Sequence, residues 1–191
     1  WALATMGTIQ VKTEDYEGAL ANLHQAVEIR SDLGLSSSDY LELDFHLGEI
    51  YEGFRDFDKA LDHYHKALAM AQIAGTDSLL GRTQDRIGNI YYRMEEYGKA
   101  REFLEDALRV HSVSNNIAMQ QGALIRLGDI FSKLGENRAA VKKQLKALAL
   151  SQETQDVQTE ARILTRLGTL YQILGRPRVA LDYYRKAKDK R

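Results

Sequence analysis

The 191-residue sequence predicts an all-α fold, a stack of about five antiparallel helical hairpins, and three observations carry that prediction. Glycines recur at Gly7, Gly48, Gly88, Gly128 and Gly168, at intervals of 41, 40, 40 and 40 residues. Twelve residues after each glycine stands an alanine (Ala19, Ala60, Ala100, Ala140, Ala180), and seven further on another (Ala26, Ala67, Ala107, Ala147, Ala187). The chain has one proline and no run of strand-like alternation, which suits continuous helices.

Each repeat reads as two helices joined by a short break. Where two helices cross closely, only Gly or Ala lets the backbones approach, while larger neighbours fill the sides. The residue before each glycine is apolar (Met6, Leu47, Ile87, Leu127, Leu167), and the third after it is aromatic in four repeats (Tyr51, Tyr91, Phe131, Tyr171). In the second repeat Leu47, Ile50, Tyr51 and Phe54 fall at helical spacing, as do Phe57, Ala60, Leu61, Tyr64 and Leu68 after the break. Asp15 and Asp56 stand at helix-start positions ahead of the second helices, with Glu96 and Glu136 in the same column, and Pro177 suits a first helical turn. Second helices end near Gly34 and Gly75, where the column later gives Asn115 and Gln155; Gly and Asn tolerate a left-handed cap. The expected helix pairs are 1 to 12 with 15 to 33, 38 to 54 with 57 to 74, 78 to 94 with 97 to 113, 117 to 134 with 137 to 153, and 157 to 174 with 177 to 190. They form one repeat domain of units 1–34, 35–75, 76–115, 116–155 and 156–191.

Composition excludes several function classes. With 26 Lys and Arg against 27 Asp and Glu, no global field draws the chain to nucleic acid or anionic lipid, so charge-driven recognition is local. The longest uncharged apolar stretch, 67–74, is far short of the roughly 20 residues of a membrane span. Without cysteine there is no disulfide or thiolate metal site, and both reducing and oxidising compartments stay open, the cytoplasm being the default. The chain opens on Trp1 inside a helical pattern, and the last helix carries Leu181, Tyr184 and Ala187 with nothing after Arg191 to cover them, so a longer native chain is expected. No catalytic constellation emerges and no cofactor is expected. Among the histidines His24, His46, His63, His65 and His111, the closest pair is two apart on a helix and faces different ways, so surface or packing roles are expected. Lys186, Lys188, Lys190 and Arg191 read as a solvated helix end.

The columns of apolar residue, Gly, aromatic and paired alanines, with Tyr16, Phe57 and Tyr97 as turn aromatics, resemble the tetratricopeptide repeat family. Asn137 and Pro177 depart at the turn, and Asn137 with Gln144 marks a locally weaker fourth hairpin. A period of 40 against the family's usual 34 or so implies longer helices and is similar to the subgroup found in spindle-orientation adaptors and bacterial signalling proteins. The resemblance implies a right-handed superhelical solenoid whose first helices line a concave groove, and a non-catalytic protein- or peptide-binding scaffold.

By that resemblance, positions six, three and two before the glycine and one, four and five after it face the groove. Two before the glycine stand His46, Arg86, Arg126 and Arg166; six before it Arg82 and Arg162; one after it Glu49, Asn89 and Asp129; four after it Tyr92. The first half of this face is acidic, with Glu42, Asp44, Glu49 and Glu52, and the second half is basic. Two alternatives stand for the arginines: a ladder that grips an extended acidic segment in bidentate fashion, or pairing with carboxylates of neighbouring helices such as Asp85 and Asp129. Tyr92, Phe45, Ile125 and Ile173 either supply apolar contact to a ligand or pack against the next hairpin. Asn89, Arg162 and Arg166 match the family's carboxylate-clamp pattern, but Asp85 and Asp129 put acids into it and disfavour a chaperone-tail ligand. The expected partner is thus a protein or peptide, an acidic segment in particular, with neither nucleic acid nor membrane insertion. The alternatives are self-association through the end hairpins, and the repeat region of an enzyme such as a nucleotide cyclase, kinase or protease.

Overall fold

The computed structural model describes residues 15–33 and 41–190, together with 3, 6, 7, 9, 10 and 13. Among them nine helices follow in order: α1 (Tyr16–Leu33), α2 (Leu43–Gly53), α3 (Phe57–Ala74), α4 (Asp77–Arg93), α5 (Tyr97–Val113), α6 (Ile117–Lys133), α7 (Asn137–Glu153), α8 (Val157–Ile173) and α9 (Pro177–Asp189). Expected boundaries agree to within one residue wherever both ends are described. The expected helix 1–12 and the expected start at 38 lie largely outside the described residues, but Leu41 and Glu42, expected inside the helix 38–54, form a turn, and α2 starts only at Leu43 with Glu42 as its N-cap.

Both alanine columns are buried in all five repeats, and Leu47, Ile87, Leu127 and Leu167 are buried beside them, whereas Met6 of the first repeat is half exposed. The glycines are small for the reason the spacing implies. A Cβ on Gly48 would lie 2.6 Å from the Tyr64 ring, and one on Gly168 2.6 Å from that of Tyr184. Gly7 faces Leu23 and Gly128 faces Gln144 in the same way. Each aromatic three residues after the glycine also has a fixed partner on the second helix: Tyr51 stacks on His63 at 5.4 Å, Tyr91 on Phe103 at 5.7 Å and Tyr171 on Tyr183 at 5.3 Å. In the fourth repeat Lys143 takes that place and lies over the Phe131 ring.

Asp15 and Asp56 cap their helices by accepting from the Gly18 and Lys59 amides, each at 3.2 Å. Glu96 and Glu136, in the same column, make no capping bond. Each carboxylate lies beside a cation, Lys99 for Glu96 and Arg101 for Glu136. Gly75, Asn115 and Gln155 take left-handed backbone at the ends of second helices; Gly34 lies outside the described residues. A second left-handed position falls within the hairpin turns, at Arg55, Glu95, Gly135 and Gly175.

The chain divides into two compact units, residues 1–90 and 91–191. In the first, α1 packs on α2 and α2 on α3 around Ala19, Leu23, Leu43, Leu47 and Ile50. In the second, α5 to α9 pack each on the next around Leu104, Leu127, Ile130, Ile163 and Leu167. The terminal lysines do more than solvate a helix end. Lys190 reaches back 2.8 Å to Glu160, a buried carboxylate that also accepts from Gln152, and Lys186 sits over the Tyr183 ring.

Candidate functional site

The expected site residues all lie on first helices: His46 and Glu49 on α2, Arg82, Arg86, Asn89 and Tyr92 on α4, Arg126 and Asp129 on α6, Arg162 and Arg166 on α8. Within each unit, a residue on one first helix meets the residue about one period earlier on the first helix before it. In the first unit Arg86 donates to Glu49 at 2.6 Å and lies 3.5 Å from Glu52, a partner 37 residues back in the first case. In the second unit Arg166 donates through Nε to both oxygens of Asp129, at 3.0 and 3.3 Å, again 37 residues back. Arg82, forty residues after Glu42, donates to it at 3.1 Å and lays its guanidinium 4.3 Å from the centre of the Phe45 ring. Arg82, Arg86 and Arg166 thus each face a carboxylate of the preceding first helix.

The acidic half of this face in the first unit is a connected network. His46, almost buried, hydrogen-bonds Glu49 at 3.0 Å through Nδ1 and lies 3.5 Å from Glu42 through Nε2. Asp44 is bonded to His63 at 2.9 Å, and the Tyr64 hydroxyl donates to Glu52 at 3.0 Å. Burial raises the Glu49 pKa, but the His46 hydrogen bond and the nearby Arg86 outweigh it and hold the carboxyl below its usual range. Burial likewise pulls Arg86 down, and Tyr64, Glu49 and Glu52 more than offset it, so its charge is held more firmly than usual. Burial, with the Glu52 charge beside it, pushes the Tyr64 hydroxyl up. Phe45 is buried against Tyr64 and under Arg82, so it is core.

In the second unit, α6 and α8 leave a cavity of about 360 Å³ between them. Its walls are Arg126, Asp129, Arg162 and Arg166, the apolar Ile125, and the small or polar Gln121, Gly122 and Thr159. Ile125 is half-buried there, while Ile173 is exposed. Four of the expected residues therefore converge on one cavity. Tyr92 packs on Tyr97 at 5.7 Å; burial and the Asp129 charge raise its pKa. Asn89 lies half-buried on α4.

Three contributors were not anticipated. Gly122 occupies the column that elsewhere holds Glu42, Arg82 and Arg162; replacing a long side chain by none opens the space, and its missing Cβ would meet only the Arg126 guanidinium, at 3.6 Å. A glycine among charged residues at equal spacing is the signal that finds it. Gln121 is buried at the cavity wall, and its amide nitrogen has no hydrogen-bond partner among the described residues. Gln144, fully buried below Gly128, donates to the Ile125 carbonyl at 3.1 Å and to Asp129 at 3.4 Å, so the fourth repeat's departure from Leu or Tyr steadies the carboxylate that holds Arg166.

Among the described residues no group of three or more His, Asp or Glu side chains is placed to hold a metal ion, and no helix is long and apolar enough to cross a membrane. A fold of repeated helical hairpins presenting charged side chains from one helix of each pair defines a helical-repeat protein. Its sequence matches the tetratricopeptide repeat over residues 1–72, 39–112 and 120–189, and the chain belongs to that family. Family members of this kind are generally non-catalytic scaffolds for protein interaction. No curated protein resembles the sequence closely enough to count as a relative.

Solved structures with the same fold include BtubC from P. vanneervenii, with a TM-score of 0.86 at 18% identity over 98% of this chain and 78% of that one. Aspartyl phosphate phosphatase F from Bacillus subtilis superposes with a TM-score of 0.74 at 17% identity over 98% of this chain and 58% of that one. The Pyrococcus horikoshii signal transduction ATPase PH0952, which carries a tetratricopeptide repeat sensor, gives 0.81 at 15% identity over 97% of this chain and 30% of that one. The chain therefore spans little more than half of the phosphatase and under a third of the ATPase. At these identities the likeness is one of fold.

Proposed function

We propose that the chain binds a protein or peptide segment along the first-helix face, as an adaptor or as the regulatory region of a larger signalling protein. The observation that carries this reading is Arg162. It is exposed, it lines the cavity between α6 and α8, and among the described residues it makes no hydrogen bond or ion pair, while Arg166 beside it faces a carboxylate of the same chain. The charge of Arg162 is felt by Asp156 at the start of α8, but its N–H donors bond no carboxylate among the described residues, and on a rigid helix such donors fit a carboxylate of another chain. The ligand is an acidic segment, and the cavity is where it is anchored. The sensor role named for the repeats of PH0952 is consistent with a regulatory placement.

Peptide arrays of acidic, neutral and basic sequences, probed with the wild-type chain and with Arg126→Glu/Arg162→Glu, test this. Selective retention on acidic peptides, lost in the double variant, is expected. Equal retention by both proteins refutes the reading. A second reading, self-association through the last hairpin, is favoured by the exposure of Ile173 and Leu181, at 56% and 49%. Sedimentation that stays monomeric up to high concentration refutes it.

A further inference from the structure

We infer that the cavity between α6 and α8 takes an acidic and an aromatic side chain from one extended stretch of the bound segment, the carboxylate in the space over Gly122 and the ring against the Arg162 guanidinium. This rests on the acidic-segment reading above and adds the residue that must accompany the acid.

The first unit already contains such an arrangement, built from the chain itself. Arg82 on α4 stands 40 residues after Glu42 and 37 after Phe45, at the start of α2. It donates to Glu42 at 3.1 Å and lays its guanidinium 4.3 Å from the centre of the Phe45 ring. A carboxylate accepts in the plane of a guanidinium and a ring takes its face, so one arginine engages both at once. His46, one turn after Glu42, lies 3.5 Å from the same carboxylate.

In the second unit Arg162 on α8 stands 40 residues after Gly122 and 37 after Ile125, both on α6. The stagger of the two helix pairs is the same, since Arg166 meets Asp129 as Arg86 meets Glu49, each across 37 residues. Gly122 and Ile125 therefore hold the places of Glu42 and Phe45, and they bring neither a carboxylate nor a ring. Arg162 bonds no carboxylate and lies against no ring among the described residues. Asp156 feels its charge, but an oxygen of Asp156 is taken up in capping α8, accepting from the Thr159 amide at 3.0 Å.

The two smaller side chains leave the cavity of about 360 Å³ that they and Arg162 line. A Cβ on Gly122 would meet only the Arg126 guanidinium, at 3.6 Å, so this place is bordered by a cation on its own helix, as Glu42 is bordered by His46. Arg126 has contacts of its own within the chain, so recognition falls to Arg162. The cavity admits side chains and extended backbone but not a helix about 10–12 Å across. In an extended segment alternate side chains share one side, which sets the acid and the ring two residues and about 7 Å apart.

The test is an NMR titration of the full chain with three capped tripeptides whose ends carry no charge: acetyl-Glu-Ala-Phe-amide, acetyl-Glu-Ala-Ala-amide and acetyl-Gln-Ala-Phe-amide. The Arg162 side-chain N–H and the Ile125 methyl resonances are followed. The acidic and aromatic probe should bind about tenfold tighter than the glutamine probe and about fivefold tighter than the probe without a ring. Arg162→Lys keeps the charge but not the planar face, and should shrink the advantage of the ring. Gly122→Glu returns a carboxylate to the place Glu42 holds in the first unit and should abolish the preference for glutamate over glutamine; its Cβ has room, so the helical spectrum should be unchanged. Equal affinity for the probes with and without the ring overturns the aromatic assignment and leaves acidic-segment binding standing. Unaltered binding of the acidic and aromatic probe by Gly122→Glu, or an undiminished ring advantage in Arg162→Lys, overturns the placement. Binding of none of the three overturns this inference and the acidic-segment reading together.

Discussion

Replacing Gly48 by Ala tests whether the repeat exists because of close helix crossing. The added Cβ would stand 2.6, 2.6 and 2.9 Å from three Tyr64 ring carbons, against about 3.5–4.0 Å for a relaxed carbon contact, so the ring must retreat by about 1 Å. Tyr64 has little freedom to do so, being fully buried against Phe45 and tied through its hydroxyl to Glu52. Overpacking of this kind costs about 1–3 kcal/mol. Losing the Glu52 bond adds about 1 kcal/mol. Against these, Ala gains about 1 kcal/mol over Gly in a helix interior. The net is a loss of about 2 kcal/mol, or about 4–8 °C in Tm for a chain of this size. Urea and thermal unfolding followed by helix circular dichroism measure it. Gly98→Ala is the control, since a Cβ there meets nothing within 4 Å, and it should be neutral or mildly stabilising. If the two variants behave alike, close packing is not what keeps Gly48 small.

Glu95→Gly should stabilise the chain by about 1 kcal/mol, because Glu95 sits at φ 62°, where a Cβ is strained and where the later repeats carry Gly135 and Gly175; a lower urea midpoint contradicts this. Gln144→Leu, which restores the residue type of Leu104, should raise the urea midpoint slightly, since it removes a buried amide whose oxygen has no partner among the described residues. A fall instead would show that its bonds to Ile125 and Asp129 outweigh that cost. Glu49 has a folded pKa below its ordinary 4.5, so its contribution to stability is present above that value and is lost as pH falls through the lower folded pKa. Glu49→Gln should therefore flatten the acid limb of the stability profile below about pH 4.5, and an unchanged limb would place the acid sensitivity elsewhere.

The hairpins, their order and nearly all of their boundaries were legible in the sequence because one geometric demand recurs. Every crossing needs a small residue on each helix, so Gly and Ala reappear at fixed intervals, and 57–74, 97–113 and 137–153 could be placed to the residue. The glutamates at 96 and 136 do stand at the helix starts their column implies, but position in a column does not reveal whether a side chain also bonds the first-turn amides. Four of the residues that the family resemblance assigned to the first-helix face, Arg126, Asp129, Arg162 and Arg166, line one cavity.

What the sequence left open was which arginines are spent. Spacing places Arg86 and Arg166 on a face, but whether they meet Glu49 and Asp129 depends on the stagger of one helix against the next, which sets a 37-residue offset that the 40-residue period does not display. The cavity itself depends on an absence, the missing side chain of Gly122, and an absence becomes a space only when the surrounding helices are fixed. Repeat chemistry is written along the chain because each hairpin solves the same packing problem; the charged first-helix face is decided between neighbouring helices, where side-chain length and helix stagger determine whether a charge finds a partner within its own chain.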